Sequence, residues 1–102
     1  MKNKLLQIIN RYGIEHQQRK LEEEVFELQQ AITNYEDAYE ANQIYEGNDY
    51  NIPKFREHIE EELADVMVML EQFVVYYDIE DAQIEQIMCN KIRRQLERMK
   101  SE

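Results

Sequence analysis

Apolar positions recur every three or four residues along most of the chain, and no stretch alternates strictly for long. That period is the mark of amphipathic helices rather than strands. Leu5, Leu6, Ile8 and Ile9 predict a first helix over about Asn3 to Arg11, with Gly13 as its stop. Leu21, Val25, Leu28 and Ile32 line one face of a second helix that starts near Ile14 or Glu15 and fades past Tyr35 and Tyr39. Residues from about Asn42 to Ile52 read as irregular, with Gly47-Asn48-Asp49 as the turn signal. Asn51 as N-cap and Pro53 in the first turn open a third helix carrying Ile59, Leu63, Val66, Leu70, Phe73 and Tyr77. Asp78 is the expected cap of a fourth, with Ile84, Met88, Ile92 and Met99 on its apolar side. The expectation is an all-α fold.

At 102 residues, with no low-complexity tract and no long linker, the chain reads as a single domain over 1–102. A few long helices of this total length bury little surface, so copies of the chain are expected to cover one another's apolar faces.

Charge narrows the function classes. The formal net charge is −10, with 22 acidic residues against 12 basic ones. Binding a nucleic acid polymer through its backbone needs clustered Lys and Arg, so that class is set aside. A small polyphosphate remains open to an acidic chain when metal ions bridge the two sets of negative charge. No apolar run approaches the roughly 18 residues of a membrane span, and the N-terminal segment is too short and interrupted for a signal peptide. The single cysteine, Cys89, excludes an intramolecular disulfide. Cytoplasmic residence is the expectation.

The second and third helices share a register. One reads Leu21-x-x-Glu24-Val25-x-Glu27-Leu28-x-x-Ala31-Ile32 and the other Ile59-x-x-Glu62-Leu63-x-Asp65-Val66-x-x-Met69-Leu70. Positions three apart on a helix lie ~60° from each other, so Glu24 projects with Glu27, and Glu62 with Asp65, along one flank of each apolar stripe. Two stripes packed as an antiparallel hairpin would bring the acidic flanks together. Carboxylates crowded in this way repel by several kcal/mol at an effective dielectric of ~20, and a hard divalent cation relieves the repulsion. All-oxygen ligands favour Mg²⁺ or Mn²⁺ over Zn²⁺. Acid-x-x-acid spacing is common in so acidic a chain; Asp37/Glu40, Glu46/Asp49, Glu57/Glu60 and Asp78/Asp81 share it and are ordinary solvated charge. Only the two pairs in shared register, each beside an apolar stripe, stand out.

Glu24-x-x-Glu27-Leu28, the later Glu61-Glu62-Leu63-Ala64-Asp65-Val66 and the lead-in Lys20-Leu21-x-Glu23-Glu24 resemble the MazG-type all-α nucleotide pyrophosphohydrolases. The similarity runs from about Gly13 to Arg98, with a longer stretch between Ile32 and Lys54 than in compact members. The resemblance implies a four-helix MazG-like bundle with two long central antiparallel helices, assembled as a homo-dimer or homo-tetramer. It implies Mg²⁺-dependent hydrolysis of a nucleoside triphosphate to its monophosphate and pyrophosphate, with nucleotide-pool housecleaning as the role. Glu24, Glu27, Glu62 and Asp65 would be the Mg²⁺ ligands and catalytic carboxylates, with Mn²⁺ as a possible substitute.

Other residues are candidates for substrate contact. Lys91 and Arg94, beside the apolar stripe of the fourth helix, suit a phosphate clamp, and Asn90 a ribose or base contact. The competing use of these bases is a solvated face favoured by the helix dipole. Lys20, one turn before Glu24, is placed to reach a phosphate or to pair with that carboxylate. His16 and Gln17 could touch a nucleotide, although an isolated His there is more often a surface residue. Phe26 and several tyrosines suit an oligomer interface. The main alternative is a catalytically silent helical interaction module. A di-iron carboxylate bundle needs Glu-x-x-His ligands, which neither His16 nor His58 provides, and an HD-type phosphohydrolase needs an absent His-Asp pair.

Overall fold

The computed structural model describes residues 1–44 and 51–102, and among these every regular element is helical. Helix α1 spans Lys2–Tyr12, α2 Ile14–Ile44, α3 Ile52–Tyr76 and α4 Asp81–Ser101. Gly13 ends α1 with φ 90° and ψ 153°, a conformation essentially reserved for glycine, and its N–H closes on the Ile9 carbonyl at 2.8 Å. One residue therefore separates α1 from α2.

Three boundaries differ from expectation. α2 continues as regular helix to Ile44, beyond the point where its apolar pattern fades, with Ala38 its last buried residue. Asn51 does precede α3, with Pro53 in the first turn, but it adopts a left-handed conformation (φ 59°) and its side chain caps nothing. Asp78 likewise takes φ 51° in the turn after α3, and the cap of α4 moves on to Glu80. Asn and Asp tolerate that region better than most residues; Asn51 keeps the N-cap position, where its carbonyl accepts from the N–H groups of Lys54 and Phe55, while Asp78 serves the turn instead of the cap. The turn expected at Gly47-Asn48-Asp49 lies outside the described residues.

α2 and α3 form the main hairpin, and α1 packs mainly against α3. The two helices run antiparallel: Gln17 meets Gln72 near one end, while Glu24 approaches Glu62 and Asp65 further along. The seam of α2 is Gln17, Glu24, Ala31 and Ala38, a strict seven-residue repeat. Opposite it α3 buries Glu62, Met69 and Gln72, and α1 buries Leu5 and Ile9. The expected apolar stripe is thus rotated. Leu21, Leu28, Ile59 and Val66 are half-buried, whereas Val25, Ile32, Leu63 and Leu70 are exposed. Small alanines let the helices approach, and polar groups occupy the positions that a self-contained hairpin would fill with leucine.

The burial pattern repeats between the two helices position by position. Glu24 and Glu62 are buried, Leu28 and Val66 half-buried, Ala31 and Met69 buried, and Ile32 and Leu70 exposed. α4 buries no residue and makes no sustained contact with the other helices. The fold is therefore a three-helix body with a fourth helix projecting from it, and its Cα radius of gyration of 18.0 Å exceeds the ~13 Å of a compact chain of this size.

Candidate metal centre

On α2 the carboxylate of Glu24 enters the seam, and on α3 that of Glu62 enters from the other side; they are 7% and 9% exposed. Asp65, one turn beyond Glu62, is exposed and reaches the same point from the rim. One carboxylate oxygen from each of Glu24, Glu62 and Asp65 lies within 4.8 Å of the other two. At that spacing and an effective dielectric of ~20, each charged pair repels by roughly 3 kcal/mol.

Each buried carboxylate is half satisfied. Lys20 Nζ stands 3.1 Å from Glu24 Oε1, and His58 Nε2 stands 3.3 Å from Glu62 Oε1. Both partners lie four residues earlier on the same helix. The second oxygens, Glu24 Oε2 and Glu62 Oε2, are buried and have no hydrogen-bond partner among the described residues. Buried acceptors without a donor are rare in folded proteins. Two of them, on converging carboxylates, match what a hard divalent cation requires: oxygen ligands, negative charge and unfilled lone pairs. The residues present therefore fit a Mg²⁺ or Mn²⁺ ion.

Glu27 is exposed and not one of the three converging groups. It is near enough that the Glu24 charge, with burial and the Glu62 charge behind it, pushes its carboxyl above the ordinary range. The hydrogen bond and charge of Glu24 raise Lys20 in the same way, and Lys20 also reaches Glu23 at 3.6 Å. The expected four acids thus resolve into three at the focus and one beside it. Glu24 and Glu62 lie in the seam itself, whereas Glu27 and Asp65 stay exposed along its flank.

The fourth helix contributes nothing to this centre within one chain. Asn90, Lys91 and Arg94 are exposed on α4, and among the described residues neither Lys91 nor Arg94 forms an ion pair. The nearest basic pairing on that helix is Arg93 with Glu97, at 3.2 Å.

One residue beyond the acidic motif touches the centre, and a buried amide pair lies about two turns away along the seam. His58 holds Glu62; its position four residues before an acid was the available signal. Gln17 and Gln72 bury a side-chain amide pair further along the same seam, Gln17 Nε2 donating to Gln72 Oε1 at 2.8 Å. The seven-residue spacing from Gln17 to Glu24 placed both on one helix face.

No protein-family model matches the chain, and no curated protein or solved structure matches it at a significant level.

Proposed function

We propose that the chain is a Mg²⁺-dependent nucleoside triphosphate pyrophosphohydrolase acting between the α- and β-phosphates. The observation that carries this reading is the pair of buried, unpartnered oxygens on Glu24 and Glu62, converging with Asp65 from two helices. The resemblance of the acidic motif to MazG-type enzymes supplies the reaction class.

In this reading Glu24, Glu62 and Asp65 hold the cation. A divalent ion bound there would polarise the phosphoryl oxygens and offset the charge that builds up during displacement. Lys20, already beside Glu24, takes a phosphate oxygen as a point charge. Glu27, exposed beside the cluster and not one of its three converging groups, is the carboxylate left to accept the proton of the attacking water. The water oxygen bonds to the α-phosphorus, the bridging P–O bond breaks, and pyrophosphate leaves.

A homo-oligomer is part of the same proposal. Residues 91–102 hold five of the twelve basic residues and two of the 22 acids, so α4 is basic while the body is strongly acidic. Ile87, Met88, Ile92 and Leu96 are each 43–56% exposed along α4. Val25, Ile32, Leu63 and Leu70 leave a matching apolar strip on the body, 37–48% exposed. A second copy covers both surfaces with complementary charge, and in that assembly Asn90, Lys91 and Arg94 come to the acidic body of a neighbour.

The direct test is a Mg²⁺-dependent screen of canonical and modified nucleoside triphosphates, measuring monophosphate and pyrophosphate separately. Release of orthophosphate would move the reaction to the γ-phosphate, and no release from any nucleotide would leave the chain as a helical interaction module.

A further inference from the structure

Beside the acid cluster, between the adjoining ends of α1 and α2 and the C-terminal half of α3, lies an open cavity of about 560 Å³. Small-molecule sites generally occupy about 300–1,000 Å³. Its floor is unusual. Gln17 and Gln72 are 3% and 2% exposed, and their amides form the buried bond already described. At one end of that bond Gln17 Oε1 meets His16 Nδ1 at 2.7 Å; at the other, Gln72 Nε2 donates to Met69 Sδ at 3.6 Å.

The sulfur sets the direction of the whole relay. A thioether only accepts, so the amide end that faces Met69 is the NH₂ of Gln72. Gln72 Oε1 must then face Gln17 and receive its N–H. Gln17 Oε1 in turn faces His16, whose Nδ1 therefore carries the proton. The reverse order would set the Gln72 oxygen against the sulfur, two acceptors in contact. The relay thus ends on its weakest link: a nearly fully buried amide donor satisfied only by a thioether at the cavity wall.

The upper wall is aromatic. Tyr12 and His16 stack with ring centroids 5.1 Å apart and planes 20° from parallel, and both line the cavity. Lys20 lines it too while pairing with Glu24, so cavity and acid cluster share one residue. Gln17 and Glu24 are seven residues apart on α2, about 10 Å along the axis, which leaves room for a sugar and a base between amide pair and acids.

We propose that this cavity is a nucleobase compartment that selects bases bearing an exocyclic carbonyl oxygen. Gln72 Nε2 donates to that oxygen in place of the sulfur, and the Tyr12–His16 stack covers the ring. Uracil, thymine, cytosine and guanine carry such an oxygen; adenine does not. The proposal deepens the pyrophosphohydrolase reading and takes from it only the orientation, phosphates on the acids and base on the amides.

The test is calorimetric binding of dUMP, dCMP, dGMP and dAMP to the full chain with Mg²⁺, alongside Mn²⁺ titration without nucleotide. The three oxo bases are expected to bind at least about tenfold more tightly than dAMP. Gln72→Leu should bring all four affinities together. Tyr12→Ala, at a 57% exposed rim position that folding does not depend on, should weaken all four by a similar factor. Equal binding of dAMP, absence of binding by all four, or an unchanged Tyr12→Ala variant overturns the compartment. Mn²⁺ binding reports on the acids separately: Mn²⁺ bound without base selection rejects this inference alone, whereas base selection without Mn²⁺ binding rejects the metal reading and keeps the compartment.

Discussion

Glu24 on α2 and Glu62 on α3 occupy equivalent places: each is buried, each is met at Oε1 by a side-chain nitrogen four residues earlier, and each leaves Oε2 unpartnered. Neutralising either one removes part of a repulsion that Lys20, paired with Glu24 Oε1, offsets only in part in the metal-free protein. Glu24→Gln should therefore raise the melting temperature without metal while abolishing the gain that Mn²⁺ gives the parent protein. A gain of about 1 kcal/mol corresponds to roughly 4–8 °C for a domain of this size. Thermal unfolding with and without Mn²⁺ measures both effects, and a lower melting temperature in the metal-free variant would show that the carboxylate is structural.

Turnover separates the cluster from ordinary surface charge. Glu62→Gln and Asp65→Asn should reduce kcat by about 100-fold or more, the scale on which loss of a charge-stabilising group is felt, with the helical circular dichroism retained. Glu60→Gln is the control. Glu60 is exposed and only 4.0 Å from exposed Arg56, so its loss should change stability by no more than about 0.5 kcal/mol and leave kcat as it was.

The repeated Glu-x-x-acid register was legible because helical periodicity fixes which side chains share a face, whatever packs against it. Which face turns inward was not. Valine and leucine advertise a buried stripe, yet Val25, Ile32, Leu63 and Leu70 lie outward while Gln17, Glu24, Glu62 and Gln72 lie within the seam. Hydrophobicity reports what will be covered in the end and not which neighbour covers it. The amide pair was hidden for a related reason: nothing local marks two glutamines 55 residues apart as partners. Asp78 misled through its own versatility, since an Asp that caps a helix and one that forms a left-handed turn look alike in sequence.

Gly13 offers a purely conformational test. Its φ of 90° disfavours any side chain, but a Cβ placed there would meet no atom within 4 Å. Gly13→Ala should cost about 1–3 kcal/mol from backbone strain alone, read as a lower urea midpoint with an unchanged slope. Because Gly13 sets α1 against α2, and so Tyr12 against His16, the same variant should disturb nucleotide binding more than Mn²⁺ binding.

α4 carries the strongest prediction about assembly. A 21-residue helix with no buried residue is about 30 Å of structure held by one turn, and helices in proteins draw most of their stability from packing an amphipathic face. Its apolar stripe must be covered for it to persist. Light scattering should therefore give a mass of two or four times 12.5 kDa. Ile92→Glu with Leu96→Glu places charge in the middle of the stripe and should shift the mass to that of one chain, with loss of helical signal from α4. In the proposed assembly the basic end of α4 meets acidic helices of a second copy, so raised salt should loosen it. A parent chain that stays monomeric with α4 fully helical would remove the argument for a second copy, and with it the route by which Asn90, Lys91 and Arg94 reach an active site.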